Sequence, residues 1–200
     1  KPISSAKLLE AVKKVADMIE KEQDNARLIE RYEKEMEENT LQEKHKLWGS
    51  LVSNRLSTME LLEKGQRLGM DFTASAYLVF LFKLMEEGDA TGCSEELNRA
   101  SEKVNDLTGA WKNALSFDRS PEGWAFLIKG ESEKEVHNTF EEAKKELLEL
   151  AKSYPKVEYF GGIGSVVHRI GDIQTSYKEA ARAFSSRFFL DANQIADSSE

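Results

Sequence analysis

Apolar residues fall at helical spacing along the first part of the chain. From Ser4 to about Glu38 the pattern is that of one helix, with no Gly or Pro after Pro2. Val12, Val15, Ile19, Ala26, Ile29 and Met36 recur at intervals of three, four and seven, which predicts the seam of a two-stranded coiled coil. Glu22 and Glu33 also occupy seam positions and interrupt it. The pairs Glu10–Lys14, Asp17–Lys21 and Glu30–Lys34 each add roughly 0.2–0.5 kcal/mol of i,i+4 support. The stripe is read as a dimer seam; the other reading is a single helix lying against its own chain.

Further on, the rhythm changes. Leu47, Trp48, Leu51 and Val52 make a second apolar face. Ser57 and Glu60 have the spacing of a capping box that opens a short helix with Leu61, Leu62 and Leu68, and Gly69 suits its left-handed end. Tyr77–Phe82 is a continuous apolar run, a central strand buried on both faces. Ser94 is placed to cap a helix carrying Leu97, Ala100, Val104, Leu107 and Trp111. Leu115–Asp118 and Trp124–Lys129 predict two strands around an Arg-Ser-Pro-Glu-Gly turn. Ser132 and Glu135 form a second capping box, before a helix with Val136, Phe140, Ala143, Leu147 and Ala151. Val157–Gly164 is a fourth strand, taken as the last, and residues from about Asp172 to Arg187 form the last helix. A hairpin between two helical crossovers is the order a ferredoxin-like or cyclase-palm sheet requires, so the fold class is α+β.

Composition narrows the function. The chain has 200 residues, 40% hydrophobic and 32% charged, with a formal net charge of −8. That sign argues against direct binding to nucleic acid or an anionic membrane. The longest apolar run is far short of the ~20 residues of a membrane helix, and Lys1-Pro2-Ile3-Ser4 does not begin a signal peptide. Cys93 is the single cysteine; it has no internal disulfide partner and suits a reducing cytoplasm. The histidines His45, His137 and His168 lack metal-ligand spacing. A start without Met and an end at Ser199-Glu200 read as an excised fragment.

Two motifs carry a family resemblance. Gly161-Gly162-Ile163-Gly164-Ser165 is followed by Ser176-Tyr177-Lys178-Glu179-Ala180. The pair resembles the end of the degenerate GGDEF-like domain of YesN-type (AraC-family) two-component response regulators. Lys1-Pro2-Ile3, before a helix with Leu8, Leu9 and Val12, is similar to the end of a receiver domain. The resemblance implies three regions: 1–39, the receiver's last helix continued as a signalling stalk; 40–72, a helical adaptor; and 73–200, the GGDEF-like domain. It also selects the nucleotide-cyclase palm, a mixed sheet with helices preceded by a long N-terminal helix.

Active diguanylate cyclases carry Gly-Gly-Asp-Glu-Phe on the central hairpin, with acids that work with magnesium; a further aspartate near the end of the first strand holds the metal. Setting Trp124 on the family's phenylalanine puts Ser120 and Pro121 where the glycines belong and Gly123 where the glutamate belongs. Only Glu122 stays acidic. The first strand offers Leu78, Phe80 and Phe82, with no carboxylate before Glu86 and Glu87. Magnesium requires hard oxygen ligands, so the expectation is no catalytic residue, no metal and no cofactor.

The expected role is a non-catalytic signal-relay and dimerisation segment, cytoplasmic and not at a membrane. It would form a homodimer through Val12, Val15, Ile19, Ala26, Ile29 and Met36. By resemblance, a cognate sensor histidine kinase would act through a receiver, and DNA would be met through a C-terminal helix-turn-helix, neither within this chain. The alternative is a ligand-sensing domain binding a nucleotide or small metabolite in a degenerate pocket, with His168 and Arg169 as candidate contacts. The Gly161–Ser165 run lacks the Gly-Lys-Ser/Thr of a phosphate loop and is read as tight passage of an edge or bend.

Overall fold

The computed structural model describes residues 5–86, 95–188 and 191–197. The expectations at Lys1–Ser4, Glu87, Cys93 and Ser94 lie outside the described residues. Contacts divide the chain into two units, Lys1–Glu43 and Lys44–Glu200.

Helix α1 spans Ser5–Val52. It runs through the region where the sequence suggested a stalk giving way to an adaptor, because no Gly or Pro interrupts residues 5–48 and Leu47, Trp48 and Leu51 are buried in a core. In the first unit the apolar side chains from Val12 to Leu41 are exposed, Ile19 by 50% and Met36 by 70%. The Glu10–Lys14 pair forms at 3.3 Å.

The second unit is built on a five-stranded sheet of order β2-β3-β1-β4-β5. The strands are β1 Ala76–Glu86, β2 Ala114–Asp118, β3 Trp124–Gly130, β4 Val157–Ile163 and β5 Gln194–Asp197. Strands β1 to β4 are antiparallel to their neighbours, whereas β5 lies parallel to β4. With α3 (Glu95–Gly109) between β1 and β2 and α4 (Glu133–Lys152) between β3 and β4, this is the split β-α-β arrangement the element order predicts. The architecture is α+β, a nucleotide-cyclase-like palm. The fifth strand corrects the reading of β4 as the last. At four residues, with one buried side chain, β5 carries too little pattern to announce itself.

Alternation along β1 assigns its faces. Leu78, Phe80 and Phe82 point to a core under α3 and α4 with Val104, Phe126, Phe140 and Leu147. Tyr77, Val79 and Leu81 point to the other, with Trp48, Leu61, Phe117, Phe160 and Phe184. This second face is covered by the end of α1, α2 (Thr58–Arg67) and α5 (Ile173–Ser185). Trp48 stacks on Phe117 with centroids 4.5 Å apart and meets the edge of Tyr177 at 5.8 Å.

The caps follow the sequence with one exception. Ser57 and Glu60 form the reciprocal box at the start of α2, and Gly69, at φ +68, follows its end. At α4 only half of the box is present. Ser132 accepts from Glu135 N at 3.3 Å, while the Glu135 carboxylate turns to Glu131 N at 2.9 Å instead of Ser132.

Candidate functional site

The first candidate is the β2–β3 hairpin, where the family signature would stand. Asp118 shapes its entry, with Oδ1 accepting from Ser120 N at 2.8 Å and from Ser120 Oγ at 2.7 Å. The Ser120–Pro121 peptide is cis. Arg119 N donates to the Gly123 carbonyl at 2.7 Å and closes the turn. Gly123 has φ +87, and a Cβ there would fall well inside contact of the Phe82 carbonyl and 2.9 Å from Lys83 Cα. A glutamate cannot stand at that position on this backbone.

The surviving acid is engaged. Glu122 accepts from Arg187 Nη2 at 3.2 Å, and the Arg187 guanidinium lies over the Phe184 ring at 4.4 Å. The Arg119 guanidinium lies 5.9 Å from the Tyr177 ring centre, and its Nη1 is buried without a hydrogen-bond partner. On β1, Phe80 and Phe82 are wholly buried where carboxylates would be required. Among the described residues no three His, Cys, Asp or Glu side chains converge to hold a metal ion. The apolar β1 and the paired Glu122 do not fit magnesium, which requires free oxygen ligands.

The Gly-rich motif has a different role from the one expected. β4 lies inside the sheet between β1 and β5, so its glycines serve neither an edge nor a bend. Gly162 and Gly164 let α5 approach, while Gly161 faces Phe80 and Ile195. A Cβ on Gly162 would come within 2.5 Å of both the Ala180 carbonyl and Phe184 N, and one on Gly164 would strike the Ser176 carbonyl. Ser165 N donates to Glu179 Oε2 at 2.8 Å, and fully buried Ser176 receives the Val79 amide proton. The two halves of the motif bind each other and form a helix-to-sheet clasp.

His168 and Arg169 lie at the far end of β1 from the hairpin. Val167 bridges Tyr77, whereas Gly123 abuts Phe82 and Lys83, five residues or roughly 17 Å along the strand. His168 pairs with Glu133 at 2.9 Å. Arg169 is exposed and lines a groove of about 610 Å³ with Asn54, Thr58, Leu62, Tyr77 and Asp172. The two residues therefore do not share one site with the hairpin. Val12, Val15, Ile19, Ala26, Ile29 and Met36 are all exposed on α1.

Sequence reasoning missed one polar contact at the base of the sheet. Lys129 is buried, and its Nζ lies 2.7 Å from Asp71 Oδ2 and 3.4 Å from the Thr73 carbonyl. The Lys129 hydrogen bond, aided by the Thr73 amide, holds the Asp71 carboxyl down at about 2. A lysine ending the otherwise apolar run Trp-Ala-Phe-Leu-Ile was the available signal, because a buried charge requires a partner. Beside it the Tyr77 hydroxyl donates to the Phe72 carbonyl at 2.7 Å and accepts from Ala74 N at 3.1 Å. Burial pushes the pKa of Tyr77 up.

No helix among the described residues is long and apolar enough to cross a membrane. A comparison with curated proteins finds no match. Among solved structures, the active GGEEF domain of a diguanylate cyclase from Vibrio cholerae is similar, at 13% identity and a TM-score of 0.48, over 76% of this chain and 94% of that chain. The model of the GGDEF-like domain matches residues 53–185, from the end of α1 to the last residue of α5. The chain belongs to the GGDEF-like domain family.

Proposed function

We propose that this chain is a non-catalytic signal-relay and dimerisation segment of a cytoplasmic two-component transcriptional regulator. It would link a phosphorylatable receiver, answering a sensor histidine kinase, to a DNA-binding helix-turn-helix. The observation that carries the reading is the uncovered apolar stripe on α1, from Val12 (61% exposed) to Met36 (70%). A helix with an apolar seam of this length gains most by pairing. In the second unit the last turns of α1 bury Trp48 in the palm core.

The hairpin supports the non-catalytic part. Gly123 replaces the acid that the family's enzymes need, Glu122 is bound to Arg187, and β1 is apolar. Neutralising a triphosphate's charge requires ligands these positions do not supply.

The test is oligomeric state. Val15→Glu with Ile19→Glu places two charges in the seam and leaves the palm core untouched. Light scattering is expected to move from dimer to monomer with the melting transition unchanged. A variant that stays dimeric puts the interface elsewhere and removes the basis of the proposal.

The groove beside Arg169 favours a second reading, a sensor that binds a nucleotide or small metabolite without turning it over. A thermal-melt screen with nucleotides and magnesium separates the two. A ligand at about 100 times its Kd adds roughly 2.7 kcal/mol, a rise of roughly 5–10 °C for a chain of this size. No rise with any nucleotide leaves the relay.

A further inference from the structure

The seam on α1 carries information about direction, and the two glutamates in it supply that information. This step rests on the pairing proposed above. In a parallel, in-register pair every seam residue meets its own copy. Glu22 would face the partner's Glu22 and Glu33 the partner's Glu33, two like-charge layers within a short apolar seam. Like charges held face to face in such a seam select against that arrangement.

An antiparallel pair removes both clashes. Val12, Ile19, Ala26 and Glu33 form one row of the seam, spaced by seven; Val15, Glu22, Ile29 and Met36 form the other. Antiparallel packing sets one row against the other. In one register Val12 meets the partner's Met36, Ile19 meets the partner's Ile29, Val15 meets the partner's Glu33, and Glu22 meets the partner's Ala26. No glutamate then faces another. The small Ala26 leaves room for the Glu22 stem, so its carboxylate reaches water. Sliding one heptad in one direction sets Glu22 on the partner's Glu33; sliding in the other sets Met36 against the partner's Ser5.

The flanks favour the same arrangement. Met18 and Tyr32 share one flank of the seam and are exposed by 66% and 60%. In the antiparallel pair that flank meets itself, and Met18 packs against the partner's Tyr32. In the parallel pair Met18 would lie beside the partner's Gln23 and Tyr32 beside the partner's Glu37. Exposed apolar side chains gain by covering each other rather than polar neighbours.

We propose that α1 pairs antiparallel with a second copy of this chain, in the register that sets Ile19 against the partner's Ile29. The paired seam from Val12 to Met36 is about 36 Å long. In this register Ser5 of one helix lies opposite the partner's Glu43.

Disulfide trapping tests the direction in the full chain, with Cys93→Ser removing the one native thiol. Ile19→Cys and Ile29→Cys are made as separate proteins, one carrying a size tag, and Ala26→Cys is made as the parallel probe. Under mild oxidation the expected result is a covalent heterodimer only when the Ile19→Cys and Ile29→Cys proteins are mixed, with none from any variant alone. Cross-linking of Ala26→Cys or Ile19→Cys to itself, with no mixed species, overturns the antiparallel arrangement and leaves the seam dimer standing. No cross-link in any combination, or a monomer by light scattering, overturns both.

Discussion

Ser176 holds the backbone of Val79: its Oγ accepts the Val79 amide proton at 2.9 Å, from a fully buried position on α5. The Val79 carbonyl receives Gly164 N at 3.0 Å, so helix and strand together complete the hydrogen bonding of β1 where its register with β4 begins. Ser176→Ala leaves a buried N–H without a partner, which costs about 1–3 kcal/mol. Chemical denaturation is expected to show that loss with an unchanged m-value. Ser176→Thr keeps the acceptor but adds a methyl group beside Gly164, where even an added Cβ would strike Ser176, so it is expected to rescue only in part.

Gly162 gives a sharper test of the same clasp. An alanine there meets two backbone atoms of α5 at 2.5 Å, and backbone of a packed helix cannot step aside as a flexible side chain does. Overpacking of this kind costs about 1–3 kcal/mol. Gly162→Ala is expected to lower the melting midpoint by several degrees. Gly171→Ala, where an added Cβ has nothing within 4 Å, is the control and is expected to leave it unchanged.

Acid stability follows from Asp71. Its carboxyl is held at about 2 by Lys129, against an ordinary 3.8. Because the folded value lies below the unfolded one, the contribution is fully present above pH 3.8 and is lost as pH falls through about 2. Asp71 is 69% exposed, so solvent screens the pair and the effect is modest. Asp71→Asn is expected to flatten the stability profile between pH 3.8 and 2 relative to the native chain. Denaturant midpoints measured across that window check it; parallel profiles for the two proteins would rule out Asp71 as the source.

Much of the palm was legible because its signals are local. The apolar run Tyr77–Phe82 announced a central strand, the Ser57–Glu60 spacing announced a cap, and Gly69 announced a helix end. The features that were missed depend on contacts distant in sequence. β5 is fixed by pairing Gly161 with Ile195, and Glu122 finds Arg187 across 65 positions; neither partner carries a periodic signal. The Gly-rich run was visible, but its purpose was not. Glycines under a helix and glycines under a phosphate look alike until Ala180 and Phe184 are seen above them.

Restoring the family's glutamate tests whether the hairpin is one substitution from chemistry. At Gly123 the backbone is left-handed, at φ +87, where a non-glycine residue is strained, and its Cβ would press on the Phe82 carbonyl. Gly123→Glu is therefore expected to shift the hairpin away from β1 and lower stability by about 1–3 kcal/mol. It supplies one carboxylate, while β1 still presents buried Phe80 and Phe82 in place of metal-binding acids. GTP turnover with magnesium is expected to remain undetectable in Gly123→Glu as in the native chain. Appearance of cyclic di-GMP in either protein would show that acids elsewhere complete the site, and the relay reading would have to give way to an enzyme.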